Sequence, residues 1–130
     1  MNEVLHKGQV FKRMRKYNGD KWESYIEVVY ADVYKITING HSRLICAFKN
    51  KHRWIPMDVL TGIALQGNFT TKTTALHAII EYFEKLLDLE FPHICINRIE
   101  NLFQAEKELF KALDEKQKVC YNELVDLCEN

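Results

Sequence analysis

Residues 9–30 read QVFKRMRKYNGDKWESYIEVVY, and this stretch decides the fold. Apolar and polar residues alternate on both sides of Asn18-Gly19, a pattern typical of two β-strands. Asn-Gly favours a type I′ turn, because both central residues of that turn need a positive φ. The stretch therefore predicts a hairpin with a two-residue loop. Its cross-strand pairs would be Tyr17 with Asp20, Arg15 with Trp22, Arg13 with Ser24, and Phe11 with Ile26.

The predicted hairpin has two unlike faces, because side chains alternate across a strand. The face expected to meet the core carries Phe11, Trp22, Ile26, Val28 and Tyr30. The face expected to meet water carries Lys12, Lys16, Lys21, Glu23 and Glu27. Arg13 and Arg15 are the exception, since they fall on the apolar face at its turn end.

A second hairpin is predicted from residues 33–38 and 43–48, which alternate around Asn39-Gly40-His41-Ser42. A two-residue loop and a four-residue loop place each side chain on the same face of the sheet, so the assignment of faces does not depend on the loop length. One side then carries Tyr34, Ile36, Ile38, Ile45 and Ala47.

A fifth strand is predicted over residues 52–55, with residues 20–30 and 33–38 counted as separate strands. Pro56 should end it, because proline has no N–H to donate to a ladder. Residues 57–65 fit either a short helix or an edge segment. The first half of the chain is therefore interpreted as a four- to five-stranded antiparallel meander over about residues 8–55.

The second half has a helical period. Thr70 or Thr71 can cap a helix over about residues 72–90, and Pro92 should end it. Three- and four-residue spacing predicts the apolar stripe of this helix. The stripe consists of Leu76, Ile79, Ile80, Phe83, Leu86 and Leu87.

A second helix is predicted over about residues 97–128. It would begin at Asn97-x-x-Glu100, which has the pattern of a capping box. The polar run 114–118 is either a break or an exposed turn. With two helices covering one face of the sheet, the chain is interpreted as a single α+β domain over residues 1–130.

Length and composition agree with one globular domain. The chain has 130 residues, of which 47% are hydrophobic and 28% charged. The N-terminal residues lack the apolar run of a signal peptide, and no apolar run is long enough for a membrane span. We therefore expect a cytoplasmic location without membrane contact. The four cysteines form no Cys-x-x-Cys pair, and burial as small apolar side chains is the interpretation favoured for them.

The charges divide between the two halves of the chain. Residues 1–60 contain eleven Lys/Arg and six Asp/Glu, a net charge of +5. Residues 61–130 contain seven and twelve, a net charge of −5. Such asymmetry fits a basic binding face with an acidic helical back, and it equally fits the common excess of glutamate on exposed helices.

One candidate site is basic and aromatic. Cations neutralise phosphates and flat rings stack on unpaired bases, so a sheet with both can bind single-stranded nucleic acid or a nucleotide. The alternative is an ordinary surface in which arginine packs over tryptophan. The residues of this site are Arg13, Arg15, Tyr17, Trp22, Arg53 and Trp54.

Other chemistry has weaker signals. Thr71 and Lys72 stand at a helix start, where backbone N–H groups bind anions, but helix capping explains the same residues. No spacing of histidine, cysteine or carboxylate fits a metal site or a catalytic motif. We therefore predict no metal, no cofactor and no enzymatic activity.

The long second helix suggests an oligomer. Its stripe has roughly heptad spacing, which indicates either packing on the sheet or contact with a second copy. We predict a homodimer through this helix. The stripe residues are Ile99, Leu102, Leu109, Leu113, Cys120 and Leu127.

The favoured hypothesis is a small regulatory protein that binds a protein partner, such as an inhibitor or adaptor encoded by a phage or mobile element. Its contact surface would be an acidic helical face directed at a basic partner. That face would consist of Glu81, Glu84, Asp88 and Glu108. Single-stranded nucleic-acid or nucleotide binding by the basic-aromatic sheet is the alternative.

Overall fold

The computed structural model describes residues 3–88 and 92–129. Five antiparallel strands lie side by side in chain order and precede three helices. The strands are β1 (His6–Tyr17), β2 (Trp22–Ile38), β3 (His41–Asn50), β4 (Arg53–Asp58) and β5 (Ile63–Ala64). The helices are α1 (Lys72–Leu86), α2 (Pro92–Ala112) and α3 (Glu115–Glu129). The predicted α+β architecture, an antiparallel meander packed against C-terminal helices, is confirmed.

The loop of the first hairpin has four residues, not the predicted two. Tyr17 pairs with Trp22, and the Asn18 N–H donates to the carbonyl oxygen of Lys21 at 2.9 Å. Gly19 has a φ of 72°, but Asn18 has no positive φ, as a type I′ turn would require. The predicted cross-strand pairs are therefore wrong by two residues. A shift of two preserves the alternation, so each side chain keeps its predicted face.

The second hairpin follows the Asn-Gly rule. Asn39 and Gly40 form a two-residue loop with φ values of 51° and 81°, and Ile38 pairs with His41. The Asn39 side chain donates to the carbonyl oxygen of Leu87 at 2.7 Å, which ties this turn to the end of α1.

The sheet continues past its predicted end at Pro56. The Trp54 N–H donates to the carbonyl oxygen of Phe69, and the Pro56 carbonyl oxygen accepts from Leu65. The backbone groups of Trp54 and Pro56 therefore point away from β3. Proline has no N–H, but at position 56 this N–H would not face β3, so the hydrogen bonds between β3 and β4 are kept and the strand continues to Asp58.

Helix α1 begins as predicted. The Thr71 hydroxyl accepts from the Thr74 N–H at 3.2 Å, and the helix runs over Lys72–Leu86. The predicted continuation to residue 90 falls partly on residues 89–91, which lie outside the described residues. Every member of the predicted apolar stripe packs in the core, either buried or partly buried.

The second predicted helix is two helices, and its predicted start is wrong. Helix α2 begins at Pro92, because proline suits the first helical position, where its missing N–H has no partner to lose. Asn97 therefore lies inside α2 and does not cap it. Asp114 and Gln117 form a reciprocal capping box that starts α3: the Gln117 N–H donates to the Asp114 side chain at 2.8 Å, and the Asp114 N–H donates to the Gln117 side chain at 3.0 Å.

Among the described residues, none of the three helices has the length and apolar character of a bilayer-spanning segment.

Helices cover both faces of the sheet, not one as expected. In β3, Leu44 and Cys46 belong to a core cluster shared with α3 and the end of α2, whereas Ile45 and Ala47 belong to a second cluster shared with α1. Successive residues of a strand point to opposite faces, so the two clusters lie on opposite sides. The predicted side of the second hairpin is confirmed, because its residues pack against α1.

The far part of the first hairpin has less cover, although Arg13 within it contacts α2. Strand β2 pairs with β3 from Val33 onward, so its earlier residues pair with β1 alone. We call residues 11–28 the distal ribbon. Trp22 is 61% exposed and Tyr30, on the same face, is 69% exposed. The face predicted to meet the core is therefore buried at Phe11 and partly buried at Ile26, and the prediction is wrong for Trp22, Val28 and Tyr30, which are exposed.

Candidate nucleic-acid interface

A basic cleft opens where the chain after β4 approaches β1. The Arg13 N–H donates to the carbonyl oxygen of Gly62 at 2.8 Å, so the two ends of the sheet touch at this point. The cleft beside the contact has a volume of about 930 Å³. It is lined by Lys12, Arg13, Arg15, Ser24, Arg53, Ile55, Ile63, Ala64, Leu65, Gln66, Gly67 and Glu108.

Gly62 permits this approach. Its φ is 70°, a conformation that side chains disfavour, and a Cβ atom there would lie 2.5 Å from the Phe11 carbonyl oxygen. Glycine is therefore required both for the turn and for the contact that shapes the cleft.

The lining of the cleft is strongly cationic. It contains four Lys/Arg side chains and one carboxylate, Glu108. Arg15 and Arg53 are exposed, and Lys12 is half-buried with its ammonium 5.4 Å from the centre of the Phe48 ring. Three cations from two strands that are distant in sequence therefore meet around one cavity, and Arg in particular suits paired hydrogen bonds to phosphate oxygens.

Arg13 has a different role from its neighbours. Its guanidinium donates to Glu108 at 3.1 Å and to the carbonyl oxygen of Ala105 at 2.8 Å. The side chain is 20% exposed. Arg13 therefore fastens β1 to α2 and neutralises Glu108, the one acid that the described residues contribute to the cleft lining. Lys12, Arg15 and Arg53 are left as its available cations.

An exposed aromatic pair adjoins the cleft. Tyr17 and Trp22 pair across the hairpin, with ring centres 5.4 Å apart. The Arg15 guanidinium lies 5.7 Å from the centre of the Trp22 ring and also lines the cleft. The pairs Arg13–Ile26, Arg15–Ser24 and Tyr17–Trp22 follow one another on one face of the ribbon. Cations and open rings thus form a continuous surface.

The remaining residues of this hypothesis lie elsewhere. Trp54 is half-buried and packs against the α1 cluster. Thr71 is occupied as the cap of α1. Lys72 donates to Asp32 at 2.9 Å, and this hydrogen bond lowers the pKa of the Asp32 carboxyl. The structure therefore brings together Arg13, Arg15, Tyr17, Trp22 and Arg53, and separates Trp54, Thr71 and Lys72 from them.

The predicted acidic face is divided. Glu81 and Glu84 are exposed on α1, and Asp88 is exposed two residues after the end of that helix. Glu108 belongs to α2, where it pairs with Arg13 and lines the basic cleft. The four carboxylates therefore do not act as one group.

Sequence reasoning missed the second wall of the cleft. Ile63 and Leu65 lie within the ambiguous segment 57–65, and Gly67 follows it. Strand β5 has two residues, which is too short for an alternating pattern to be recognised. Gly62 could have indicated this contact, because an isolated glycine in a strand-like stretch often marks a place where two backbone segments come close together.

No metal site is present among the described residues, since no three His, Cys, Asp or Glu side chains there are grouped for one. Cys46, Cys120 and Cys128 are free thiols. Burial raises the pKa of Cys46 far above that of an ordinary thiol, so this side chain is an unreactive part of the core.

No protein-family model matches this chain, and no curated protein or solved structure matches it either.

Proposed function

We propose that this chain is a binding protein for single-stranded nucleic acid. The convergence of Lys12, Arg15 and Arg53 on one cleft carries the proposal. The phosphates of a strand would lie along these cations, with Arg15 placed between the cleft and the aromatic pair. No cofactor or enzymatic step is part of the proposal.

The aromatic pair favours a single strand over a duplex. Tyr17 and Trp22 are 56% and 61% exposed, so each ring has free surface for a base. Bases in a duplex are already stacked on their neighbours, whereas unpaired bases can stack on protein rings. Stacking would make binding tolerant of sequence, because every base has a flat face.

Binding of a labelled oligonucleotide of about 15 residues, followed by fluorescence anisotropy, tests the proposal directly. At about 0.05 M salt we expect the single strand to bind more tightly than a duplex of the same sequence. The double variant Arg15→Glu, Arg53→Glu should abolish binding. The double variant Lys111→Glu, Lys116→Glu, which reverses two exposed charges on α2 and α3, is the matched control and should bind as wild type does. Equal binding by the double variant and the control would refute the proposal.

The aromatic contribution has its own control within the ribbon. Tyr25 is 44% exposed but lies on the opposite face from Trp22. Trp22→Ala should weaken binding about tenfold or more, as loss of one stacked base predicts. Tyr25→Ala should leave binding unchanged. Similar losses in both variants would contradict stacking on the Trp22 face.

A second candidate is binding of a basic protein partner by α1, as an inhibitor or adaptor would. It is supported by Tyr82, which is 40% exposed between Glu81 and Glu84. Exposed tyrosines are common anchors of protein interfaces. A partner that remains bound to tagged protein after nuclease treatment, and is lost with Glu81→Lys, Glu84→Lys, would support this candidate. Loss of all bound protein on nuclease treatment would exclude it.

A further inference from the structure

A second cleft lies apart from the basic one, between the β2–β3 turn and helices α2 and α3. Its volume is about 330 Å³, within the range of small-molecule sites. Among the residues that the structure describes, none lines both this cleft and the basic one. The apolar part of its lining consists of Leu60, Leu87, Ile99, Leu102, Phe103 and Val125.

Two charged side chains of a buried network reach this cleft. Arg43 is 5% exposed and donates to Asp58 at 2.6 Å and to Glu106 at 2.5 Å. Thr61 donates a further hydrogen bond to Asp58. Arg43 and Glu106 line the cleft, and the Glu106 side chain, 19% exposed, is the more open of the two.

Among the described residues, the hydrogen-bonded groups of this network do not cancel in charge. One guanidinium faces two carboxylates, so the network carries a net charge of −1. Buried charge without a counter-charge is costly, because the interior solvates ions poorly. Two buried atoms, Nε of Arg43 and Oδ1 of Asp58, also have no hydrogen-bond partner among the described residues.

We propose that this cleft binds a small apolar amine, whose ammonium group pairs with Glu106. The ammonium would supply the missing positive charge, while the apolar body would fill the space between Leu102, Phe103 and Val125. A carboxylate or phosphate ligand would add to the negative charge and is disfavoured. A neutral ligand would fill the cleft but leave the charge unbalanced.

Three matched probes separate these cases. Phenethylamine, 2-phenylethanol and phenylacetate share a ring and differ in charge. Titration of the full-length chain, followed by amide chemical shifts, should show the amine binding at least about tenfold more tightly than the alcohol, as a charge-assisted hydrogen bond predicts. The shifted amides should lie around residues 40–43, 102–106 and 125–128.

Glu106→Gln should remove the preference for the amine over the alcohol. This variant leaves Arg43 paired with Asp58, so it should keep its fold, which the dispersion of the same spectra reports. Glu100→Gln, on an exposed part of α2 outside the cleft, is the matched control and should bind the amine as wild type does.

Val125→Phe provides an independent check, because it fills the cleft without changing its charge. We expect it to weaken the amine and the alcohol alike. Equal binding of amine and alcohol to the wild type, shifts that map elsewhere, or an amine preference that survives Glu106→Gln would each overturn the proposal. Failure here would leave nucleic-acid binding untouched, since no described residue lines both clefts.

Discussion

Arg13 and Arg15 stand two residues apart on one face of one strand, and their surroundings give them different roles. Arg13 donates to Glu108 and to a main-chain carbonyl of α2. Arg15 is exposed over Trp22 at the cleft. The nearest helix therefore decides which arginine stabilises the fold and which is available to a ligand.

The Arg13→Ala and Arg15→Ala variants should differ in kind. Arg13→Ala should lower the free energy of unfolding by about 1–2 kcal/mol, because two hydrogen bonds to α2 are lost. Arg15→Ala should keep the wild-type stability and weaken oligonucleotide binding about tenfold. Urea unfolding and anisotropy measure the two effects. A stable Arg13→Ala protein with lost binding would assign Arg13 to the ligand instead.

Gly62 gives a second prediction for a single residue. Gly62→Ala should lower the free energy of unfolding by about 2–4 kcal/mol, because it adds a steric clash with β1 to the strain of a positive φ. Gly19→Ala has a similar φ but no atom within 4 Å of the new Cβ, so it should cost about 1 kcal/mol. Equal losses in urea unfolding would mean that the contact with β1 contributes little.

At the scale of elements, local hydrogen bonds decide where the helices begin and end. Thr71 caps α1 and the Asp114–Gln117 pair caps α3. The break at Asp114 divides the stripe of the predicted second helix between α2 and α3. Two residues of that stripe, Leu109 and Leu113, are buried in the chain's own core. These two residues are not available to a second copy, and the homodimer through this part of the chain stays a prediction.

Removing the α3 cap tests this boundary. Asp114→Ala should lower the free energy of unfolding by about 1 kcal/mol, the usual effect of losing an N-cap. Lys116→Ala, an exposed residue in the same turn, should change it by less than about 0.5 kcal/mol. Urea unfolding measures both, and an unaffected Asp114→Ala protein would show that packing alone positions α3.

At the scale of the molecule, the Arg43 network joins β3, the end of β4 and α2. Burial raises the pKa of Glu106 above its ordinary value of 4.5, and the carboxylate of Asp58 adds to that effect while Arg43 opposes it. A raised pKa in the folded state means that protonation favours folding. Stability contributed by protonated Glu106 is therefore present at low pH and lost as pH rises through the folded-state pKa.

Glu106→Gln should remove this dependence. The stability of the variant relative to wild type should rise as the pH increases above 4.5, since glutamine does not ionise. Glu100→Gln should keep the wild-type profile. Urea unfolding at several pH values gives the comparison, and parallel profiles for Glu106→Gln and wild type would contradict the direction of the shift.

Salt dependence tests the electrostatics of the whole cleft. Three available cations predict that log K for single-stranded oligonucleotide falls with log salt at a slope of about −2. Arg53→Ala should reduce the slope by about 0.7, whereas Trp22→Ala should weaken binding at an unchanged slope. A slope near zero would mean that phosphate contacts do not drive binding.

Patterns between near neighbours predicted much of this protein. The period-two alternation, Asn39-Gly40, Thr71 and the α1 stripe each depend on residues a few positions apart, and the structure agrees at each. Errors arose where two local signals competed: Pro92 and Asn97 are both helix-start residues, and Asn18-Gly19 allows a four-residue loop as well as a tight turn.

The sequence by itself determined the order of the two hairpins, the side on which each of their side chains falls and the α+β class, because these depend on backbone geometry and on spacing along the chain. It did not determine that residues 22–38 form one continuous strand, or that the sheet continues through β4 and β5 to Ala64. Only the tertiary structure decided that helices cover both faces, that the Trp22 end of the ribbon is open, and that Arg53 meets Arg15 beside Gly62. Those outcomes depend on which apolar surfaces bury each other across long separations in sequence, and no local pattern encodes that choice.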